Sequence, residues 1–466
     1  MDKTGKGEKL LSYSLFLILS GCMGGGGGGS SSSGPSEIAY ILTQDSTNNA
    51  GAVVEYALNP DNGTFYSGSN ELATNGTVPV SFLLGPSNTT AFVLNNNSPT
   101  GDASPQSGSI AVYSVGTTGL SGPSLSTPIS TGPNPVDMAV DPGGNFLVVA
   151  NHGNGTTSGS PLGYVQVYAV GAGGALTLAG LPSANSPCNY PLRAVFGPNA
   201  AGKTSDVVFV ACSSPELSAS STSPPPLLYS CTIVDLKNGT GCTPFTSVTG
   251  VNFIVTMLLD PSSTYLVAPG VSTSGGVLMV CTIGNYSCSS AAMGNITLPS
   301  TKIAFSASGA NESIFVGNYN SSNSSSFNGN AIACTVLSSP SCPSTNEFTL
   351  SQNGPIAFAT NTSQTTVYIA ATQTPVPNTL TGSGAPTSGS LYAYSIPLAP
   401  SSTPSTSQTT GGWPVDIALD PSGNYLFVPS LSGTVSVFQV TSGQGLSPIK
   451  ALPVPSPLVP FSVTVH

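Results

Sequence analysis

The sequence predicts an all-β protein assembled from repeated four-stranded units, and three observations carry that prediction. Short apolar runs rich in Val, Ile, Tyr and Phe are separated by clusters of Gly, Pro, Asn and Ser, the pattern of strands punctuated by turns. No long stretch follows the helical period. One motif recurs along nearly the whole chain at intervals of about 45 to 60 residues, the range of a single propeller blade.

The motif is clearest in "PVDMAVDPGGNFLVVANH" (135–152) and "PVDIALDPSGNYLFVPS" (414–430). Weaker copies begin near residues 79, 191, 255, 301 and 355. Each reads as strand, tight turn, strand. In D-P-x-G the Asp caps backbone amides, the Pro fixes φ and the Gly tolerates positive φ, which assigns Asp141 to turn formation, and Asp260 and Asp420 occupy the same slot. A third strand follows, as in "GYVQVYAV" (163–170), "GSLYAYSI" (389–396) and "GTVSVFQV" (433–440), and a poorer fourth run completes a blade. At the ends, "IAYILTQ" (38–44) is a second strand without its first, and "PFSVTV" (460–465) is a first strand without its second. Pairing them closes the ring through one composite blade and removes an exposed sheet edge. The fold expected is a single β-propeller with eight blades by repeat count, or seven if the copy near 255 is no first strand.

Residues 1–21 read as an export signal. Lys3, Lys6 and Lys9 precede an apolar run, Leu10 to Ser20, too short to span a bilayer. "LSGC", Leu19 to Cys22, resembles the bacterial lipobox, which implies lipidation of Cys22 and membrane attachment through acyl chains. Residues 22–36, rich in Gly and Ser, suit a flexible tether, and 37–466 the propeller. Met23 after the Cys, where an Asp would imply inner-membrane retention, points to the outer membrane of a bacterial cell envelope.

Charge narrows the classes further. Only 6 % of the 466 residues are charged and the net charge is −10. A nucleic-acid partner needs clustered cations, and the chain supplies none, so that class is excluded. A monomer without cofactor or metal is expected. Asp137 and Asp416 alone fall short of the oxygen ligands that calcium requires.

The P-x-x-[IM]-A-x-D-P-x-G-N-[YF]-L-x-V pattern at 135 and 414 resembles the lactonase-type or YVTN-type β-propeller family. The resemblance implies a propeller from residue 38 onward and, as one activity, opening of a sugar or other lactone. Lactonase members carry a P-R-H type tripeptide on an inner strand; the matching tripeptides here are "PVD" and "PLR".

Aligning the copies two positions after the Pro of each first strand gives Ser81, Asp137, Arg193, Thr256, Lys302, Ala357, Asp416 and Ser462. After Cys22 the chain has five cations, Arg193, Lys203, Lys237, Lys302 and Lys450, and two of them fall in this slot beside two aspartates. Such a ring supports either inter-blade ion pairs, with Asp137 and Arg193 on adjacent blades, or a ligand-binding or catalytic set around the channel. In the catalytic case Asp137, Asp416 or His152 would activate water and Arg193 or Lys302 would stabilise the oxyanion. His152, at the end of a second strand, is expected at the same mouth as Asp137. Tyr190 and Trp413 each precede the Pro of a first strand and are candidates for stacking on a glycan. The insertions at 212–227, 318–330 and 372–389 share this face, and loops enlarged on one face of a repeat array usually mark a binding side.

Eight cysteines follow Cys22, which suits an oxidising compartment. Cys231 and Cys242, Cys281 and Cys288, and Cys334 and Cys342 each bracket a turn between third and fourth strands. Cys188 and Cys212 flank the first two strands of one blade at the same end. The repetition favours these four as disulfides over a zinc site, whose spacings would be tighter. The expected function is therefore an exported, lipid-anchored propeller that binds a ligand or envelope partner on its loop-bearing face. A lactone hydrolase and a purely structural surface protein are the alternatives.

Overall fold

The structure is a computed structural model. It describes residues 37–466 except 67–69, 98–106, 124–127, 154–161, 181–187, 189, 199–206, 213–227, 240, 247–250, 295, 297–298, 301, 309–310, 318–328, 337–338, 351–353, 373–387, 399–401 and 442–444. The signal, Cys22 and the tether expected from the sequence lie outside these residues, as does most of each long insertion.

Eight antiparallel sheets follow one another around a ring, so the count of eight holds. Blade 1 is the composite: Leu458–Val465 pairs with Glu37–Asp45, followed by Ala50–Leu58 and Asn70–Thr77. The first strands of blades 2, 3 and 4 are Pro79–Leu84, Pro135–Val140 and Pro191–Gly197. Blades 5 to 8 start near residues 251, 302, 354 and 414.

Why do these sheets stand face to face rather than lie open? Each second strand is apolar on both sides. Thr366–Thr372, for example, is buried throughout, and Phe92, Phe209, Phe315, Tyr368 and Phe427 are buried within their blades. A sheet apolar on both faces must be covered on both faces. The core accordingly divides into eight clusters, one for each seam between neighbouring blades. Ile38 and Tyr40 of blade 1 meet Phe82 of blade 2 in one; Tyr425 and Phe427 of blade 8 meet Ile41 and Val463 of blade 1 in another.

The turns between first and second strands behave as the D-P-x-G reading expects. Asp141 accepts hydrogen bonds from the amides of Phe146 (2.5 Å) and Gly143 (3.1 Å), and Gly144 takes φ +70°. Asp260 and Asp420 cap Tyr265 and Tyr425 in the same way. In blade 7 Asn361 does so, accepting from the Thr365 and Thr366 amides.

Two details depart from the sequence reading. In blade 5 the first strand is broken into Val251–Ile254 and Leu258–Leu259, and in blade 8 it shrinks to Ala418–Leu419. The partner second strands contain Pro269 and Pro429, which accept from Val255 and Val415 but have no N–H to return to the ladder. In blade 4 the expected turn between Cys231 and Cys242 holds a six-residue helix, Ile233–Asn238. Thr232 and Asp235 form a capping box at its start and Gly239, at φ +68°, closes it. All four expected disulfides are formed: Cys188–Cys212, Cys231–Cys242, Cys281–Cys288 and Cys334–Cys342.

Removing the strand Leu458–Val465 leaves Glu37–Asp45, buried along nearly its whole length, as an unpaired apolar edge. A chain ending at residue 457 is expected to lose its cooperative thermal transition and to elute as aggregate in size-exclusion chromatography.

Candidate functional site

The channel-facing slot owes its geometry to a bulge. In blades 2, 3, 4 and 7 the register slips by one residue between the opening Pro and the slot: Pro79 pairs with Asn95 and Ser81 with Leu94, Pro135 with Asn151 and Asp137 with Ala150. Blades 4 and 7 repeat this at Pro191/Arg193 and Pro355/Ala357. The extra residue re-aims the side chain that follows, as bulges do. All seven slot residues before Ser462 are buried, none more than 8 % exposed.

Burial of charge in such a slot requires partners, and the structure supplies them across seams. The Asp137 carboxylate of blade 3 accepts from the Ala194 amide of blade 4 at 2.9 Å. Asp416 of blade 8 accepts from the Val463 amide of blade 1 at 3.0 Å and from the Ser462 hydroxyl at 2.9 Å. The two aspartates thus make the same bond: each reaches the amide one residue beyond the slot of the next blade. Asp416 also forms an ion pair with Lys302 of blade 6. Between them stands the slot of blade 7, occupied by Ala357, whose methyl side chain leaves room for the lysine to span it. Sequence reading placed these charges in one ring but anticipated pairing only between neighbours.

Electrostatics follow from this burial. Desolvation raises the Asp137 carboxyl to about 7, against the lowering effects of the Arg193 charge and of the Ala194 and Met138 amides. Burial lowers the Arg193 guanidinium, which Asp137 partly offsets; one of its nitrogens donates to the Leu192 carbonyl at 3.0 Å. Burial also lowers the Lys302 ammonium, while contact with Asp416 favours its charged form.

His152 comes to the seam of blades 3 and 4, its ring 5.5 Å from that of Tyr190. Its amide donates to the Asn134 carbonyl, and burial lowers its imidazole pKa, so the neutral ring dominates at pH 7. The Cys188–Cys212 bond closes the same end of blade 4. Asp137, His152, Tyr190 and Arg193 are therefore gathered at one seam, whereas Lys302, Asp416 and Trp413 belong to blades 6 and 8. Tyr190 and Trp413 are each only 7 % exposed, so both rings are largely packed into the wall of the mouth. Trp413 also takes φ +53°, a left-handed backbone that turns the chain into its first strand. Among the described residues no three His, Cys, Asp or Glu side chains gather as a metal site.

Comparison with known proteins adds a family. Residues 39–179, which make up most of blade 1 and all of blades 2 and 3, match the family model described as "Lactonase, 7-bladed beta-propeller". These blades are of the lactonase type. The ring here closes with eight blades rather than the seven of that description. No curated protein matches the chain. Among solved structures, Sqt1 from Chaetomium thermophilum is similar at 12 % identity over 81 % of this chain and 87 % of its own, with a TM-score of 0.54. A candidate 6-phosphogluconolactonase from Bacteroides uniformis is similar at 13 % identity over 92 % and 100 %, with a TM-score of 0.49. Identities this low speak to the fold alone.

Breaking the buried pair from one side is expected to be costly. Lys302→Met leaves Asp416 without its cation and should lower unfolding free energy by about 3–5 kcal/mol. Adding Asp416→Asn should restore much of that loss, read as a coupling in a denaturant-unfolding double-mutant cycle.

Proposed function

We propose that this chain is an exported propeller, attached to the cell envelope through lipid on Cys22, that binds a ligand or envelope partner on its mouth face. One observation carries the reading. The charged slot residues Asp137 and Asp416 are committed to backbone amides of neighbouring blades, and Lys302 to Asp416, so these charges fasten the ring. Recognition then falls to the loops that join second and third strands around the mouth, three of which are long: 213–227, 318–328 and 373–387. The scarcity of charge favours a neutral ligand, such as a glycan, or a polar protein surface.

A second reading, hydrolysis of a lactone, is favoured by the family match over the first three blades and by the group at the seam of blades 3 and 4. There a neutral His152 is suited to act as general base toward water, with Arg193 as the nearby cation and Tyr190 holding the imidazole. A phosphorylated lactone fits poorly, because few cations are available to hold its phosphate.

The readings separate on two measurements. A panel of unphosphorylated lactones should show no turnover above buffer if the propeller only binds. Turnover that His152→Ala lowers by about 10²-fold or more, with the melting temperature kept, establishes the hydrolase instead. Glycan-array and envelope-extract binding should be lost when residues 373–387 are replaced by a short Gly-Ser link; an unchanged profile argues against that loop. Cys22→Ala should release the protein from the membrane fraction.

A further inference from the structure

At the rim opposite the mouth, where first and second strands turn, two pairs of acids meet across blade seams. Glu37, at the start of its strand in blade 1, contacts Asp420 of blade 8 through their side chains and accepts from the Ser422 amide. It is buried, and its Oε2 has no hydrogen-bond partner. Glu312 of blade 6 meets Asp260 of blade 5 in the same way, and again its buried Oε2 has no partner. Both aspartates are already committed to their turns, accepting from Tyr425 at 2.6 Å and Tyr265 at 2.5 Å.

The pairing follows a rule along the chain. Where a turn carries no Asp, the corresponding position of the next blade is neutral: Asn145, Thr264, Thr365 and Asn424. Where the turn carries Asp260 or Asp420, that position is Glu312 or Glu37. Asp206 stands in the same sequence position relative to Asp141, outside the described residues. In a chain with only 18 acidic residues, this matching is not explained by turn formation, which needs the Asp alone.

Two carboxyls in contact within a seam cannot both be ionised without strong repulsion; one keeps a proton and donates it. We propose that Glu37–Asp420 and Glu312–Asp260 are proton-sharing clasps between blades, closed at neutral and acidic pH and weakened as alkali removes the shared proton. Burial first, then the hydrogen bond and charge of Asp420, raise Glu37 to about 8. Burial, then the charge and hydrogen bond of Asp260, raise Glu312 to about 7. Tyr425 also faces the first pair and is raised by burial, then by Asp420, Glu37 and Asp61, so the group around that clasp is acidic throughout.

The sign follows from linkage. Both glutamates bind their proton more tightly folded than unfolded, so the stabilisation is complete below their ordinary value of 4.5 and is lost as pH rises toward 7 and 8. Asp137 contributes with the same sign up to about 7, and His152 with the opposite sign below 6.5. A variant comparison removes both. In the full chain, E37Q/E312Q keeps a permanent N–H donor in each clasp. Its melting temperature should match wild type at pH 5 and exceed it by roughly a few degrees at pH 8.5. In the infrared at pH 6.5, the protonated-carboxyl stretch of wild type should lose intensity in the double variant, with Asp137 supplying a remainder common to both. Equal shifts at both pH values, or an unchanged band, overturn the proposal. So does a wild-type melting temperature at pH 8.5 that rises with millimolar calcium and fails to rise in the variant, since the pairs would then hold a cation rather than a proton.

Discussion

The constraint on which the molecule depends is that every blade is apolar on both faces. A sheet of this kind is stable only between two others, and a row of them has no stable end. The eight seam clusters and the composite blade are two consequences of that condition. The second is required by the first: if blade 1 lacked the strand Leu458–Val465, the seam to blade 8 would lose Val463 and Val465 from its core.

Polar groups follow the same logic on a smaller scale. The inner slot is too confined to hydrate a charge, so Asp137 and Asp416 satisfy theirs with an amide of the next blade, and Lys302 crosses a whole blade to reach Asp416. Helix Ile233–Asn238 adds an outer contact of the same kind, its Lys237 lying over the Phe146 ring of blade 3 at 4.4 Å. The Lys302–Asp416 ion pair and the amide bonds of Asp137 and Asp416 join blades, while the strand ladders hold each blade together. Packing thus decides where the ring closes, and the buried polar contacts decide its register.

Much of the fold was legible in the sequence because it is written in repeats. The D-P-x-G turns, the pairing of both chain ends and the four disulfides depend on local patterns, and local patterns survive without coordinates. Blade 5 shows the limit. Its first strand is interrupted by Pro269, a residue of the partner strand, so the break is invisible in the strand's own sequence. The site was readable only as a set of positions. Alignment brought Asp137, Arg193, Lys302 and Asp416 to one slot, but the choice of partner rests on which neighbour leaves space, as Ala357 does. Tyr190 and Trp413 were recognisable as mouth residues from the Pro that follows each; their burial was not, because it depends on side chains from other blades. The acid pairs could have been found by comparing turn Asp with the start of the next blade's second strand, a correlation between repeats rather than within one.

The composite blade also gives the ring a direction. Glu37 begins a second strand, and second strands begin on the turn rim and end at the mouth; the His466 amide and carbonyl bond Ile38 at that same rim. Glu37 and His466 thus stand together on the turn rim, on the side of the ring away from His152.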